Sequence, residues 1–241
     1  MIYPVSGGNK YAAIYVQYPE GSELSCSNGN RTLRAETTTG KWVFLIPYAG
    51  TWTVTATKGT AAETASKTVG ITAKNQVVDL TLTYDFVLFS YGDYNKAQTG
   101  GWVKKAWKWA TSQYGTAREP AISEGTDYFK FMHSQGGSQG AYYVSNKIDF
   151  TNYNKLVFTG EVGGENSSNP MGFFIFTDLS ATNAGDSCIS KIFWTNLSAK
   201  KTFSNSTVLD VSAIKKACYI GIYMTSTDDK YITVKDLRLV P

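Results

Sequence analysis

Apolar and polar residues alternate along most of this chain with a period of two. In Trp52-Thr53-Val54-Thr55-Ala56 the two threonines fall on one side and the apolar residues on the other, the pattern of a strand with one face in a core and one in water. The same reading predicts strands over residues 13–18, 23–27, 32–36, 42–46, 51–57, 65–71 and 77–83. Turn residues punctuate them: Pro19-Glu20-Gly21, Asn28-Gly29, Pro47 to Gly50, Lys58-Gly59 and Lys74-Asn75. Asn28-Gly29 is a hairpin signal, because both residues tolerate the positive φ angles of a two-residue turn. Seven short strands in about seventy residues make a small β-sandwich.

After Tyr84 the composition shifts, and a longer series begins, with strands predicted over 128–132, 141–144, 155–161, 172–177, 188–194, 207–210, 218–224 and 231–239. Eight strands in about 155 residues suggest a jelly roll. The Gly, Asp and Thr punctuation between Tyr84 and Gly101 reads as the connection. The chain is therefore expected to be all-β: an extension over 1–9, an Ig-like β-sandwich module over 10–84, and a jelly-roll, carbohydrate-binding-like domain over 85–241. No window carries a long helical stripe.

Composition narrows the function more by exclusion than by assignment. At 241 residues, with 42% hydrophobic, the chain can bury a proper core. Its formal charge of +4 comes from basic residues scattered singly or in pairs such as Lys104-Lys105 and Lys215-Lys216, which is a solvated surface and not a nucleic-acid tract. The first residues lack the basic and apolar regions of a secretory signal, and no run reaches the length of a membrane span. Cys26, Cys188 and Cys218 are too few and too dispersed for a disulfide framework, and they read as reduced, small apolar residues.

No strong catalytic motif interrupts the strands. A Ser-His nucleophile system would have to use the sole histidine, His133, yet no Gly-x-Ser-x-Gly elbow exists; His133 reads as a polar residue entering a loop. Zinc lacks a ligand set at recognised spacing. Carboxylate pairs such as Glu119 with Glu124, or Glu161 with Glu165, read as surface residues in loops, although paired acids are what glycoside hydrolysis needs. Asp127, Asp149 and Asp236 are conceivable calcium ligands without the periodicity of a calcium loop. No cofactor is implied. The unusual cluster is Trp102 to Tyr114, where aromatics interleave with Lys104, Lys105 and Lys108. Trp102 reads as a core anchor. For Trp107, Trp109 and Tyr114, with Trp194, two readings stand: core residues, or an exposed platform stacking on sugar rings.

Several motifs carry a resemblance. Val16-Gln17-Tyr18-Pro19-Glu20-Gly21-Ser22, Gly40-Lys41-Trp42-Val43-Phe44 and Gly50-Thr51-Trp52-Thr53-Val54-Thr55-Ala56 resemble the Ig-like or prealbumin-like modules of tail and minor structural proteins of phages and prophages of Gram-positive gut bacteria. Leu88-Phe89-Ser90-Tyr91-Gly92-Asp93 resembles the segment that opens the second domain of those proteins. Ile148-Asp149-Phe150-Thr151 and Leu209-Asp210-Val211-Ser212 resemble carbohydrate-binding-type jelly rolls, in which an Asp-hydrophobic-Ser/Thr corner precedes a core strand. The resemblance implies a non-enzymatic virion protein, a homo-oligomer attached to other tail subunits and able to recognise host-surface glycan. The alternative is a carbohydrate-binding module of a secreted or cell-surface bacterial protein. Fold likeness does not fix a ligand.

Overall fold

The computed structural model describes residues 11–38, 41–58, 63–90, 102–111, 116–133, 140–164, 170–224 and 230–241. The chain divides into two units, Met1–Asp85 and Phe86–Pro241. In the first, the described strands are β1 (Ala12–Gln17), β2 (Glu23–Ser27), β3 (Thr32–Leu33), β4 (Glu36–Thr38), β5 (Lys41–Ile46), β6 (Gly50–Lys58), β7 (Glu63–Ile71) and β8 (Val77–Thr81). They form two four-stranded sheets, β4-β5-β1-β8 and β3-β2-β6-β7. β1 runs antiparallel to β5 and parallel to β8, so the first two strands lie in opposite sheets. Immunoglobulin constant domains keep their first two strands in one sheet.

Between the sheets sit Ile14, Phe44, Trp52, Val54 and Ala56, the apolar face that the alternation defines. On the wet face the same strand pairs Thr53 with Thr68 and Thr55 with Ser66 through hydroxyl hydrogen bonds of 3.2 and 2.9 Å. The Asn28-Gly29 signal marks a hairpin whose loop is longer than expected, because Ser27 pairs with Thr32 and leaves four residues between. Only Gly29 of the pair has positive φ (86°). Asn28 acts through its side chain, its Oδ1 accepting from the backbone N–H groups of Asn30 and Arg31; this is the local bond by which Asn mimics a backbone turn.

The second unit contains β9 (Phe86–Ser90), β10 (Val103–Ala106), β11 (Pro120–Glu124), β12 (Phe129–His133), β13 (Ala141–Val144), β14 (Ile148–Asp149), β15 (Lys155–Gly163), β16 (Met171–Phe176), helix α1 (Ala184–Ser187), β17 (Cys188–Trp194), β18 (Lys201–Asp210), β19 (Ala217–Met224) and β20 (Tyr231–Val240). All pairings here are antiparallel, in sheets β10-β13-β19-β16-β17 and β11-β12-β20-β15-β18. β14 adds to β19, and β9 adds to β20 over Asp236 to Leu239. The core between the layers draws Phe131, Phe158, Phe173, Ile220, Ile232 and Leu237 from five strands.

Phe86–Ser90 corrects the expected connection. It is a strand, with Leu88 and Phe89 each 1% exposed, so residues 86–90 belong to the second sandwich and not to a linker. The Asp-x-Ser/Thr corners are built as the pattern suggests. Asp149 Oδ1 accepts from the N–H and hydroxyl of Thr151, and Asp210 Oδ1 from the N–H of Ser212, while the residues between, Phe150 and Val211, are fully buried. Asp178 and Ser180 repeat the bond. All three cysteines are free, and β16 separates the strands of Cys188 and Cys218. No helix among the described residues is long and apolar enough to cross a membrane.

Candidate functional site: a groove on the outer face of one sheet

The two outer faces of the second sandwich have different fates. On the β10-β13-β19-β16-β17 sheet, Tyr142, Phe174, Phe176 and Tyr223 point away from the central core and are nevertheless buried. They are covered by the segment around Trp107 and Trp109 and by the chain from Leu179 to Ala184. The cover is held by directed bonds: Lys105 Nζ donates to the Leu179 carbonyl (2.9 Å), Trp107 Nε1 to the Ala181 carbonyl (3.0 Å), and the Ala184 N–H to the Lys108 carbonyl (2.8 Å). Gly140 is required beneath it, since a Cβ there would lie 1.8 Å from the Trp107 carbonyl oxygen.

That arrangement decides the fate of the proposed stacking residues. Trp107 is 3% exposed and Trp194 8% exposed, so neither offers a face to solvent; this corrects the platform reading for both. Trp107 packs on Phe176, and Trp194 packs on Phe173 and Phe203. Trp109 is half-buried, with the Lys191 ammonium 4.2 Å over its ring and Phe174 against its edge. Tyr114 lies outside the described residues, as do Glu165 and the side chains of Glu124 and His133. The aromatic-lysine alternation is real, but Lys105 lays its ammonium over Trp107 and bonds the Leu179 carbonyl, so it closes a small satellite core.

The β11-β12-β20-β15-β18 sheet instead keeps an open groove of about 600 Å³ on its outer face. Its floor is the outward set of β15 and β20, Thr159 and Glu161 beside Tyr231, Thr233 and Lys235. Tyr128 and Lys130 line it from the β12 side and Phe203 from β18. Period two explains the set, for Ile232 and Val234 are buried while Tyr231, Thr233 and Lys235 face out.

Glu161 is held at the centre. Its Oε1 accepts from the Tyr231 hydroxyl (2.6 Å) and its Oε2 is 2.8 Å from Lys200 Nζ. The bonds from Lys200 and Tyr231 hold its carboxyl below the usual carboxylate range, and the same carboxylate pushes the Tyr231 phenol up to about 12. Glu161 is thus an ionised acceptor at neutral pH and not a proton donor. Asp127 pairs with Lys235 at the groove mouth, and Asp236 pairs with Arg238, while Asp149 serves its corner, so the three conceivable calcium ligands are engaged separately. Among the described residues no group of three His, Cys, Asp or Glu side chains is placed to hold a metal ion.

Sequence reasoning passed over this groove because it read Glu161 only as half of a carboxylate pair. The available signal was the outward series Tyr231, Thr233, Lys235, an aromatic and two polar residues at strand spacing.

No protein-family model matches the chain, and no curated protein matches it. Among solved structures it is similar to carbohydrate-binding modules of the β-sandwich superfamily, described for their promiscuous specificity, at 13% identity and a TM-score of 0.40, covering 92% of this chain and 87% of that one. It is also similar to a DUF3823 family protein from Bacteroides ovatus at 10% identity and a TM-score of 0.25, covering 95% of this chain and 97% of that one. The chain is an all-β protein of sandwich architecture.

Proposed function

We propose that the second unit is a non-catalytic glycan-binding sandwich whose site is the groove on the β11-β12-β20-β15-β18 sheet. The observation that carries the reading is the ionised Glu161, fixed between Tyr231 and Lys200 on the floor of an open groove that also presents Tyr128, Phe203 and Thr233. Sugars present hydroxyls that donate to such a carboxylate and C–H faces that pack on aromatic rings. A wide, shallow groove on a rigid sheet suits a chain of sugar residues. Binding at one groove is expected to be modest and to strengthen when copies are linked, since linkage raises effective concentration without new contacts.

Placement on a phage tail or other particle, with partner subunits and self-association, rests on the sequence resemblance alone; an extracellular or cell-surface module is the reading the groove favours. The test is a glycan array probed with the multimerised full chain and with Glu161→Gln and Tyr231→Ala. Wild-type signals that both variants lose support the reading. No signal from wild type, or signals unchanged in both variants, would overturn it. Mass spectrometry of purified virions tests the particle assignment independently.

A further inference from the structure

Building on the glycan-binding reading, we infer that the groove selects acidic sugars, with Lys130 receiving the carboxylate of a hexuronate residue. The charges in and beside the groove do not balance. Lys200 is paired with Glu161, and Lys235 with Asp127. Lys130 is the third cation; its ammonium lies 4.5 Å over the ring of Tyr231, and among the described residues it forms no ion pair with a carboxylate. Among the described residues two acids are therefore set against three lysines, and the unmatched positive charge belongs to the lysine that leans over the groove's central aromatic ring.

The position of Lys130 gives this charge a use. It sits on β12 opposite Thr233, one step along from Tyr231, so its side chain crosses the ring whose hydroxyl holds Glu161. An ammonium over a phenol at a half-exposed site makes a weak contact, whereas a carboxylate offers a charge-assisted hydrogen bond, which is stronger. A hexuronate satisfies both halves of the exchange: its carboxylate draws the ammonium off the Tyr231 face, and its ring takes the face that the ammonium leaves. Its hydroxyls then meet Glu161, which stays ionised through its bonds to Lys200 and Tyr231. A neutral sugar has nothing to offer Lys130 in return for displacing it. A free phosphate or sulfate pairs with the ammonium and gains nothing from the ring.

The experiment is calorimetric titration of the full chain with oligogalacturonate, alginate and glucuronoxylan oligomers and with the carboxyl-reduced, neutral form of each. Inorganic phosphate and sulfate serve as anion controls. At least one acid oligomer is expected to bind about tenfold or more tightly than its reduced form, the difference one charge-assisted hydrogen bond supplies. Lys130→Gln is expected to abolish that difference, and Lys130→Arg to restore it, with unchanged melting temperatures confirming that both variants fold. Equal binding of acid and reduced forms would overturn the acidic-sugar inference while sparing the glycan reading. Preference for the acid form that survives Lys130→Gln would overturn the role of Lys130. Competition by phosphate or sulfate as strong as that of the oligomers would show general anion capture and overturn the inference. Binding of none of the oligomers, acid or neutral, would count against both it and the glycan reading.

Discussion

The Tyr231 hydroxyl reaches across β15 and β20 to donate to Glu161, and Gly163 is the residue that leaves it room. Gly163 stands opposite Tyr231 in the register, and a Cβ there would come within 2.7 Å of the phenol ring. A glycine facing an aromatic across an antiparallel pair lets the ring lie down over the neighbouring strand, and here that posture aims the hydroxyl at the carboxylate. Gly163→Ala is expected to lift the ring and break the bond, so Tyr231 should titrate well below its value of about 12. Ultraviolet absorbance titration, read as a difference against Tyr231→Phe, measures this. An unchanged titration in Gly163→Ala would show that the glycine is not what positions the ring.

The acid limb of stability should follow the corner aspartates and Glu161. Bonds from Thr151, Ser180 and Ser212 lower the carboxyls of Asp149, Asp178 and Asp210, and those from Lys200 and Tyr231 lower Glu161. Each folded pKa lies below its unfolded value, so each contribution is complete above the ordinary carboxylate range near about 4 and is lost as pH falls through the folded value. Tyr231 has the opposite sign: its share is complete below about 10 and is lost as pH rises through about 12. Cys26, which burial pushes up to about 12, has the same sign above its ordinary value of 9.0, so melting temperature should be flat only from the acid limb to about 8. Asp149→Asn, which cannot ionise, should flatten the acid limb; an identical acid limb in the variant would remove the corner from the account.

Trp107 should behave as a core residue. Replacing it by Ala removes packing on Phe176 and Tyr142 and strands the Ala181 carbonyl, at a cost of about 3–5 kcal/mol in urea unfolding. Trp109→Ala should cost less, because the ring is half-buried. Glycan affinity of the folded fraction should not change in either. Loss of binding in Trp109→Ala at unchanged stability would return the site to the opposite sheet.

The two tryptophans of the first unit should differ. Trp52 is 0% exposed, and Trp52→Ala should cost about 3–5 kcal/mol. Trp52→Phe should cost less, partly because the buried indole N–H has no acceptor among the described residues. Trp42 is half-buried, meeting Tyr18 edge-on at 6.2 Å, and Trp42→Ala should cost about 1–2 kcal/mol. Equal losses for Trp42→Ala and Trp52→Ala in chemical denaturation would contradict this ordering.

Local patterning carried the strands a long way. The strands read over 23–27, 141–144 and 188–194 coincide with β2, β13 and β17, because alternation and turn chemistry are properties of a few adjacent residues. The Asp149 and Asp210 corners were legible for the same reason, since each bond spans two residues. β9 escaped because Phe86-Val87-Leu88-Phe89 is a continuous apolar run without alternation, and β14 because two residues hold no period.

The site was a different matter. Whether Trp107 faces water depends on a carbonyl 74 residues away at Ala181, and whether Glu161 is a scattered surface acid or the centre of a groove depends on Tyr231, 70 residues on. Sequence determined that Glu161 and Tyr231 lie on strands and, for most strands, which residues share a face. Only the order of strands in the sheets decided which faces meet, which is covered and which stays open, because cross-strand neighbours are set by pairing between segments that carry no local record of one another.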